Sequence, residues 1–235
     1  MKHLVVLTGA GISKESGLST FRDKDGLWRK YNPQEMACKR NWEIKRKRPE
    51  MLDFYNERRR NLLTVEPNHA HKVLAELEKE YIVSIITQNV DDLHERAGST
   101  NMLHLHGELR KVTGSNNPYN PKCIVEKPLD EPILVGEKAA DGSQLRPFVV
   151  FFGQNMSIPI MRQAKRIVED ADVFVIIGTS LQVTPAADLK DIPRTCPRFI
   201  IDPADLDMGK LKGYEHIKTT AVAGIDILKE KLKAL

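Results

Sequence analysis

Residues 4–13 are Leu4-Val5-Val6-Leu7-Thr8-Gly9-Ala10-Gly11-Ile12-Ser13, an apolar run that ends in a glycine turn. Consecutive apolar residues suit a strand that is buried on both faces, as in a parallel sheet. The glycines let main-chain N–H groups approach a phosphate at a helix N-terminus, where the helix dipole favours negative charge. The usual dinucleotide fingerprint is incomplete, because position 14 is not glycine and no strand near residue 30 ends in an acid. We therefore expect either a nucleotide held differently from that of a hydride-transfer dehydrogenase or another ligand.

Further apolar runs alternate with helical patterns along the rest of the chain. Asn68 can cap a helix, and three helical stretches each place their apolar residues on one face. This alternation predicts an α/β protein with a doubly wound parallel sheet. The predicted strands are Ile82–Thr87, Phe148–Phe152, Val173–Ile177 and Phe199–Ile201, and the helical stripes are Ala70, Val73, Leu74 and Leu77; Ile160, Ala164, Ile167 and Val168; and Ile225, Leu228 and Leu232.

Two regions interrupt the alternation. Residues 24 to 65 have a charged helical pattern, and residues 113 to 146 are rich in Asn, Pro, Gly and Lys with little periodicity. A loop-like stretch of that length inside a compact domain is usually functional or a small subdomain. We expect one or the other there.

The composition is that of an ordinary globular protein, with 41% apolar and 29% charged residues and a formal charge of +4. The longest apolar runs are far too short to cross a bilayer, and the opening residues lack a signal-peptide core and cleavage site. Three widely spaced cysteines, Cys38, Cys123 and Cys196, support neither a disulfide framework nor a four-thiolate zinc site. We expect a cytoplasmic protein with no membrane partner.

Much of the positive charge lies in one segment, residues 39 to 60. A basic stripe can bind nucleic acid. Acidic residues are interspersed at Glu43, Glu50, Asp53 and Glu57, which is typical of a solvated helical face. We favour the solvated face and do not expect nucleic acid as a partner.

Two more strands end in polar residues that suit a ligand. Thr87-Gln88-Asn89-Val90-Asp91-Asp92 closes the second strand, and Gly178-Thr179-Ser180-Leu181 follows Val173–Ile177. Helix capping by an aspartate and a plain turn are the alternatives. Sheets of this class bind ligands at the carboxyl ends of their strands. Three polar motifs at three such ends predict a nucleotide-sized ligand.

His104-Leu105-His106-Gly107 places two imidazoles on one side of an extended segment. A metal site is conceivable, but no third ligand stands nearby at a fixed spacing. For His104 we expect a structural role. His106, which a glycine follows, is the better candidate for a general base because the usual pKa of histidine is near neutrality.

Six motifs, in their order and separations, resemble the signature blocks of the sirtuins. The resemblance runs over almost all of the chain and is weakest between residues 113 and 145. It implies a single catalytic domain over 1–235, with a Rossmann-like large lobe over about 1–23, 66–112 and 146–235 and a smaller inserted lobe over about 24–65 and 113–145. The blocks are Gly9-Ala10-Gly11-Ile12-Ser13, Ser19-Thr20-Phe21-Arg22, Gln88-Asn89-Val90-Asp91, His104-Leu105-His106-Gly107, Phe152-Gly153 and Gly178-Thr179-Ser180-Leu181.

The resemblance implies an enzyme that consumes NAD as a co-substrate and removes acyl groups from lysine side chains of proteins or peptides. The acyl oxygen attacks the anomeric carbon as nicotinamide leaves. His106 then removes a proton from a ribose hydroxyl, the ring closes onto the acyl carbon, and water releases free lysine and O-acyl-ADP-ribose. Because a cationic leaving group drives this chemistry, no catalytic metal is implied.

The resemblance also assigns roles to residues in the cleft between the lobes. The glycine turn wraps the pyrophosphate, a mobile loop covers the nicotinamide ribose, Asn89 and Asp91 order the nicotinamide pocket, and Thr179 and Ser180 hold the adenosine side. The catalytic set is His106, Asn89 and Asp91, and the substrate set is Tyr55, Arg58, Val150, Phe151, Phe152 and Gly153. The NAD set is Gly9, Ala10, Gly11, Ile12, Ser13, Phe21, Arg22, Gln88, Asn89, Val90, Asp91, Gly178, Thr179, Ser180, Asp202 and Ala221.

Tyr55 and Arg58 stand at i and i+3 on a predicted helix and therefore on one face. They resemble the Tyr-x-x-Arg pair of sirtuins that accept succinyl, malonyl or glutaryl lysine. A guanidinium binds a carboxylate with two hydrogen bonds, and a phenol adds one. The alternative is surface charge and ordinary packing. We expect a desuccinylase and demalonylase that also removes acetyl groups, with Phe148 to Phe152 paired as a strand to the substrate main chain.

Most sirtuins bind a structural zinc through two Cys-x-x-Cys pairs, and this chain departs from that pattern. The first pair falls at Gly114 and Asn117, which offer no thiolate, and the second pair is absent. Cys123 alone does not hold zinc. We expect a lobe without metal, held by packing and by Pro118, Pro121, Pro128 and Pro132.

Three alternatives to deacylation remain open at this point. An ADP-ribosyltransferase or NAD glycohydrolase uses the same glycosidic cleavage with a different nucleophile. A non-catalytic NAD or ADP-ribose-binding module fits the altered small lobe, although it does not need a general base at His106. A nucleic-acid-binding protein would use the basic segment. We expect the chain to be a monomer.

Overall fold

The computed structural model describes residues 1–18, 32–193 and 195–235. The helices within these residues are α1 (Ala10–Lys14), α2 (Pro33–Met36), α3 (Lys39–Glu43), α4 (Arg48–Leu62), α5 (His69–Glu76), α6 (Leu93–Ala97), α7 (Ile158–Glu169) and α8 (Ala221–Lys233). The strands are β1 (His3–Thr8), β2 (Ile82–Thr87), β3 (Met102–His104), β4 (Gly107–Gly114), β5 (Val125–Glu126), β6 (Leu145–Val149), β7 (Val173–Ile177), β8 (Arg198–Ile201) and β9 (Tyr214–Ile217). Short 3₁₀ turns cover Lys45–Lys47, Leu77–Lys79 and Ala186–Asp191. Among the described helices, none has the length and apolar character needed to cross a bilayer.

Six parallel strands form the larger sheet in the order β3-β2-β1-β7-β8-β9. The chain builds outward from β1 to β3 and then returns to the other side of β1 at β7, which is the doubly wound arrangement. Thr8 stands opposite both Thr87 and Ile177, so the segments that follow these three strands begin at one edge. The predicted Rossmann-like α/β sheet is confirmed.

Both faces of this sheet are covered, which explains its uninterrupted apolar runs. Leu4 and Val6 pack with residues of α5 and α8, whereas Val5 and Leu7 pack with residues of α7. Each buried side chain of this size contributes about 1.5–3 kcal/mol. The predicted cap is confirmed, because the Asn68 side chain accepts a hydrogen bond from the Ala70 N–H at 3.0 Å.

The strands β5, β4 and β6 form a separate antiparallel sheet that packs on α4. Its core joins apolar residues of α4 to residues of β4 and β6. Residues 107–112 and 146–149 belong to this sheet, although the sequence analysis assigned them to the large lobe. The bounds of the two lobes stay a prediction. The core residues include Met51, Leu52, Phe54, Tyr55, Leu62, Leu109, Val112, Leu145 and Val149.

The prediction that Phe148–Phe152 is a strand of the parallel sheet is wrong. The strand β6 ends at Val149 and pairs antiparallel with β4. Beyond it the chain enters the cleft between the sheets, and Phe152 is 46% exposed. Apolar residues that line an open cleft give the same sequence pattern as residues buried on both faces of a sheet.

Candidate active site

A cavity of about 450 Å³ lies at the carboxyl ends of β1, β2 and β7, next to α4 and the segment after β6. The three polar motifs meet here, as the sheet topology requires. The predicted residues that line it are Gly9, Ala10, Gly11, Ser13, Tyr55, Arg58, Gln88, Asn89, Val90, Asp91, His106, Val150, Phe151, Phe152, Gly153, Gly178, Thr179, Ser180 and Asp202.

Two of the predicted residues lie outside the described part of the chain, and two others do not line the cavity. Phe21 and Arg22 lie outside the described residues. Ile12 is fully buried and Ala221 is 3% exposed, and both pack in the core beneath α5 and α8. Their apolar side chains are used for packing, so they are not available to a ligand.

Sequence reasoning also missed residues that line the cavity. Three of them directly follow the Gly178-Thr179-Ser180-Leu181 motif, and this adjacency was the available signal. Phe54 and Gln154 are likewise next to predicted residues, Tyr55 and Gly153, whereas Ala37 comes from a segment that the sequence alone did not bring to the cleft. The missed residues include Leu18, Ala37, Phe54, Gln154, Met156, Gln182, Val183 and Thr184.

The glycine turn after β1 is pressed against the end of β7. The N–H of Gly11 donates to the Gly178 carbonyl at 2.8 Å, and a Cβ at Gly11 would lie 2.6 Å from Gly178 Cα. Gly178 itself has a φ of +63°, a conformation that favours glycine. The Ala10 N–H has no acceptor among the described residues. The turn is therefore packed tightly against β7 while one main-chain N–H remains available to a ligand, which suits the binding of a pyrophosphate.

A buried hydrogen-bond network orients the polar residues behind the cavity. The Ser13 hydroxyl donates to Asp91 Oδ2 at 3.0 Å and accepts from Asn89 Nδ2 at 3.1 Å. His71 Nε2 lies 3.4 Å from the same hydroxyl, and burial lowers the pKa of His71 to about 4. Burial raises the pKa of Asp91. Asp91 Oδ1 also accepts the Leu93 N–H at 3.2 Å, so the carboxylate serves the start of α6 as well as the network.

His106 is held in one tautomer by the main chain. Its Nδ1 lies 3.0 Å from the Gln88 carbonyl oxygen, which can only accept, so Nδ1 carries the proton. Burial lowers the pKa of His106, against the opposing effect of this hydrogen bond. The ring is therefore neutral near pH 7, with an unprotonated Nε2. That is the state a general base needs.

His104 has both ring nitrogens engaged. Nδ1 lies 3.0 Å from the Asn89 carbonyl oxygen, and Nε2 lies 2.7 Å from Glu95 Oε1. Burial alone would lower the pKa of His104, but the hydrogen bond and charge of Glu95 raise it. Glu95, His104 and Glu108 lie close enough to hold a metal, yet the ring has no nitrogen left to offer. The geometry agrees with the structural role expected for His104.

Tyr55 and Arg58 line the same cavity as His106. The Tyr55 ring stacks on Phe151, with ring centroids 5.6 Å apart and 28° between the planes. The Arg58 guanidinium lies 5.8 Å from the centre of the Phe54 ring. Burial raises the pKa of Tyr55, whereas nearby arginines lower it. Both residues thus sit in the cleft rather than on the outer surface.

The segment after β6 already uses much of its main chain within the protein. The Phe152 N–H donates to the Ala37 carbonyl at 2.6 Å, and the Phe152 carbonyl accepts from the Lys39 N–H at 2.9 Å. The Val150 N–H donates to the His106 carbonyl at 2.8 Å. Gly153 is exposed, with a φ of +79°, and makes no main-chain hydrogen bond within the described ranges.

The basic segment is divided between the interior of the protein and its surface, where Lys45, Arg46 and Arg60 are exposed. Arg59 is fully buried, Arg58 lines the cavity, and Arg48 donates to the Trp42 carbonyl at 2.9 Å. Lys39 pairs with Glu43 at 3.6 Å. These contacts divide the positive charge between interior and surface, which does not favour a continuous face for nucleic acid.

The residues near the smaller sheet do not fit a thiolate zinc site. Gly114 and Asn117 carry no thiol, and the single nearby cysteine, Cys123, is a buried free thiol that accepts from Asn120 Nδ2 at 3.3 Å. In the described part of the chain, the one cluster with metal-ligand spacing contains no cysteine. Four thiolates are what such a zinc site needs. A metal-free lobe stays a prediction.

Arg59 of α4 is buried against this lobe. Its guanidinium donates to four main-chain carbonyls, and its neighbour Asn56 exchanges two hydrogen bonds with Ile133, at 3.0 and 2.8 Å. The lobe is thus tied to α4 by side chains that bind main chain. The carbonyls bound by Arg59 belong to Leu109 (3.1 Å), Glu131 (2.6 Å), Lys127 (2.8 Å) and Pro128 (2.7 Å).

The fold and the cleft define a Rossmann-like protein with a nucleotide-sized site and an imidazole placed beside it. A family model described as the Sir2 family matches residues 9–185. A NAD-dependent protein deacylase of Bacteroides thetaiotaomicron is 50% identical over 234 residues, which cover 99% of this chain and 98% of the relative. The chain belongs to the Sir2 family, and the resemblance to the sirtuins is confirmed at that level.

Solved structures agree with this assignment. A Sir2 homologue in complex with NAD has a TM-score of 0.87 and 39% identity, covering 99% of this chain and 90% of that one. A triple variant of a Sir2 homologue in complex with 2′-O-acetyl ADP ribose has a TM-score of 0.84 and 36% identity, covering 99% of this chain and 92% of that one.

Proposed function

We propose that this chain is a NAD-dependent protein-lysine deacylase that prefers acidic acyl groups, namely succinyl and malonyl, and also removes acetyl groups. The observation that carries the proposal is the shared cavity of Tyr55, Arg58 and His106. The name of the Bacteroides relative and the NAD and acetyl ADP ribose complexes of the homologues support deacylation with NAD as co-substrate.

The NAD half of the cavity is formed by the glycine turn and the polar strand ends. The glycine turn, Gly9 to Ser13, holds the pyrophosphate, and the Ala10 N–H is the donor there that has no acceptor among the described residues. Gln88 contacts the nicotinamide ribose. NAD supplies a glycosidic bond whose leaving group is nicotinamide. Asn89 and Asp91, oriented by Ser13, order the nicotinamide pocket. His106 accepts a ribose hydroxyl proton at Nε2, because its Nδ1 proton is committed to the Gln88 carbonyl.

The acyl half of the cavity is formed by α4 and Phe151. The Arg58 guanidinium binds the acyl carboxylate with two hydrogen bonds, and the Tyr55 hydroxyl, which burial keeps neutral, donates a third. The substrate main chain pairs at Gly153, since the main-chain groups of Phe152 are already bonded to Ala37 and Lys39. Main-chain pairing gives affinity with little sequence preference.

A comparison of two matched peptides tests the acyl specificity. We compare kcat/KM for a succinyl-lysine and an acetyl-lysine peptide of the same sequence in the wild type and in Arg58→Met. The control is Arg60→Met, which removes an exposed arginine of the same helix. We expect Arg58→Met to lower kcat/KM for the succinyl peptide about 100-fold, with a small effect on the acetyl peptide, because a buried bidentate pair is lost. Equal losses on both peptides contradict the carboxylate contact.

Mass spectrometry of the products separates deacylation from the other NAD chemistries. Deacylation gives O-acyl-ADP-ribose and free lysine, an ADP-ribosyltransferase gives modified protein, and a glycohydrolase gives ADP-ribose. A non-catalytic module gives none of these. We further propose that the chain acts as a cytoplasmic monomer, and light scattering after size-exclusion chromatography tests its oligomeric state.

A further inference from the structure

Arg146 is a buried cation beside the acyl pocket that the roles above do not use. It lies on β6 and is 2% exposed. Its guanidinium carbon lies 3.6 Å from the centre of the Phe151 ring, and one N–H donates to the Val149 carbonyl at 2.7 Å. Its Nε atom is buried without a hydrogen-bond partner among the described residues.

The charge of Arg146 is not balanced by a carboxylate in the part of the chain that the structure describes. The groups that act on it electrostatically are the phenols of Tyr55 and Tyr119, which are neutral at pH 7. Burial lowers the pKa of Arg146 to about 9, so the side chain remains cationic. A buried cation without a counter-charge costs free energy. An acidic acyl group in the neighbouring pocket would supply that counter-charge.

Arg146 is coupled to the acyl pocket through two aromatic rings. Phe151 and Tyr55 both line the cavity, and Arg146 packs on Phe151, which in turn stacks on Tyr55. Burial raises the pKa of Tyr55, and the charges of Arg58 and Arg146 both oppose this rise. The Tyr55 phenol therefore lies in the field of two guanidinium groups rather than one.

We propose that Arg146 is a second specificity residue for acidic acyl groups. Its buried charge attracts the acyl carboxylate through space, whereas Arg58 contacts that carboxylate directly. The inference rests on the proposed deacylase function. At an effective dielectric constant of about 20, a unit charge even about 12 Å away changes the binding of an opposite charge about tenfold. Loss of the Arg146 charge therefore lowers the preference for acidic over neutral acyl groups by about that factor.

The test uses three peptides that differ only in the acyl group: succinyl, its uncharged amide succinamyl, and acetyl. Succinamyl has nearly the size of succinyl without the negative charge, so the ratio of kcat/KM for the two reports electrostatics. In the full-length chain, Arg146→Met is expected to lower the succinyl to succinamyl ratio about tenfold. Arg146→Lys retains the charge, and its ratio is expected to stay near the wild-type value.

An equal loss on all three peptides in Arg146→Met overturns the inference, because Arg146 would then only hold Phe151 in place. If thermal melting shows that Arg146→Met does not fold, the acyl preference of Arg146→Lys is the test of the inference. A Lys variant with normal acetyl turnover but no preference for succinyl contradicts a through-space charge. A wild type that does not distinguish succinyl from succinamyl refutes the acidic-acyl proposal itself. If the wild type does distinguish succinyl from succinamyl and Arg146→Met has the same succinyl to succinamyl ratio, only the role of Arg146 is refuted.

Discussion

Arg59→Met is expected to destabilise the smaller lobe. The fully buried guanidinium binds main-chain carbonyls of Leu109, Lys127, Pro128 and Glu131. It thereby joins α4 to β4 and to the segment that follows β5. Methionine keeps most of the side-chain volume but donates no hydrogen bond.

The expected magnitude follows from these four hydrogen bonds. Each bond from a charged donor contributes about 1.5–3 kcal/mol, but removal of the guanidinium also removes its desolvation cost. We therefore expect a net loss of about 3–5 kcal/mol, as for other broken buried charge networks. In a chain of this size, 1 kcal/mol corresponds to about 2–4 °C, so the melting temperature should fall by about 6–20 °C.

The measurement is thermal unfolding followed by circular dichroism, with Arg60→Met as the matched control on the exposed side of the same helix. The control is expected to melt within about 2 °C of the wild type, because exposed substitutions usually change stability by less than about 0.5 kcal/mol. Hydrogen exchange should locate the loosened amides in residues 127–133. A melting temperature for Arg59→Met that matches that of Arg60→Met would refute the proposed anchoring role.

The remaining predictions concern the cleft and the expected absence of a structural metal. Because burial lowers the pKa of His106 and a base must be unprotonated, the acid limb of the kcat/KM profile should be centred below pH 6.5, the usual pKa of histidine; an acid limb centred at pH 7 or above contradicts this. Gly11→Ala should weaken NAD binding at least tenfold by calorimetry, because the new Cβ would lie 2.6 Å from Gly178 Cα, whereas Gly209→Ala, near a single Asp207 oxygen at 3.1 Å, should bind normally. EDTA should change neither the melting temperature nor the turnover of the wild type, and a loss of either on chelation would point to a structural metal.

The strands of the parallel sheet could be predicted because they are buried on both faces. Val173–Ile177 and Ile82–Thr87 have the ends predicted from their apolar residues, and both are followed by polar residues at the ligand edge. The prediction for Phe148–Phe152 was wrong because it used the same criterion, an uninterrupted apolar run, that was correct for the other strands. An apolar run is equally compatible with a strand buried on both faces and with a segment that lines an apolar cleft. Only the folded structure distinguishes these two cases.

Site residues could be predicted where a motif directly follows a strand. They could not be predicted where tertiary packing determines which side chain is buried. The sequence could not tell which of Arg58, Arg59 and Arg60 is buried, because neighbours on a helix differ by about 100° in direction and the partner surface sets which side is inner. His71 was missed because its contact with Ser13 joins two distant segments. Ile12 was assigned to the ligand from the motif around it, yet its side chain belongs to the core.

The general-base role of His106 is tested by the rate at which O-acyl-ADP-ribose forms from NAD and an acyl-lysine peptide, in the wild type and in His106→Asn. An asparagine amide can still donate to the Gln88 carbonyl but cannot act as a base near neutral pH. If His106 is the general base of a deacylase, the wild type forms this product together with free lysine, and His106→Asn forms it at least about 100-fold more slowly while NAD binding stays within a few-fold. Turnover at the wild-type rate in His106→Asn, or a wild type that consumes NAD without forming O-acyl-ADP-ribose, would contradict this role.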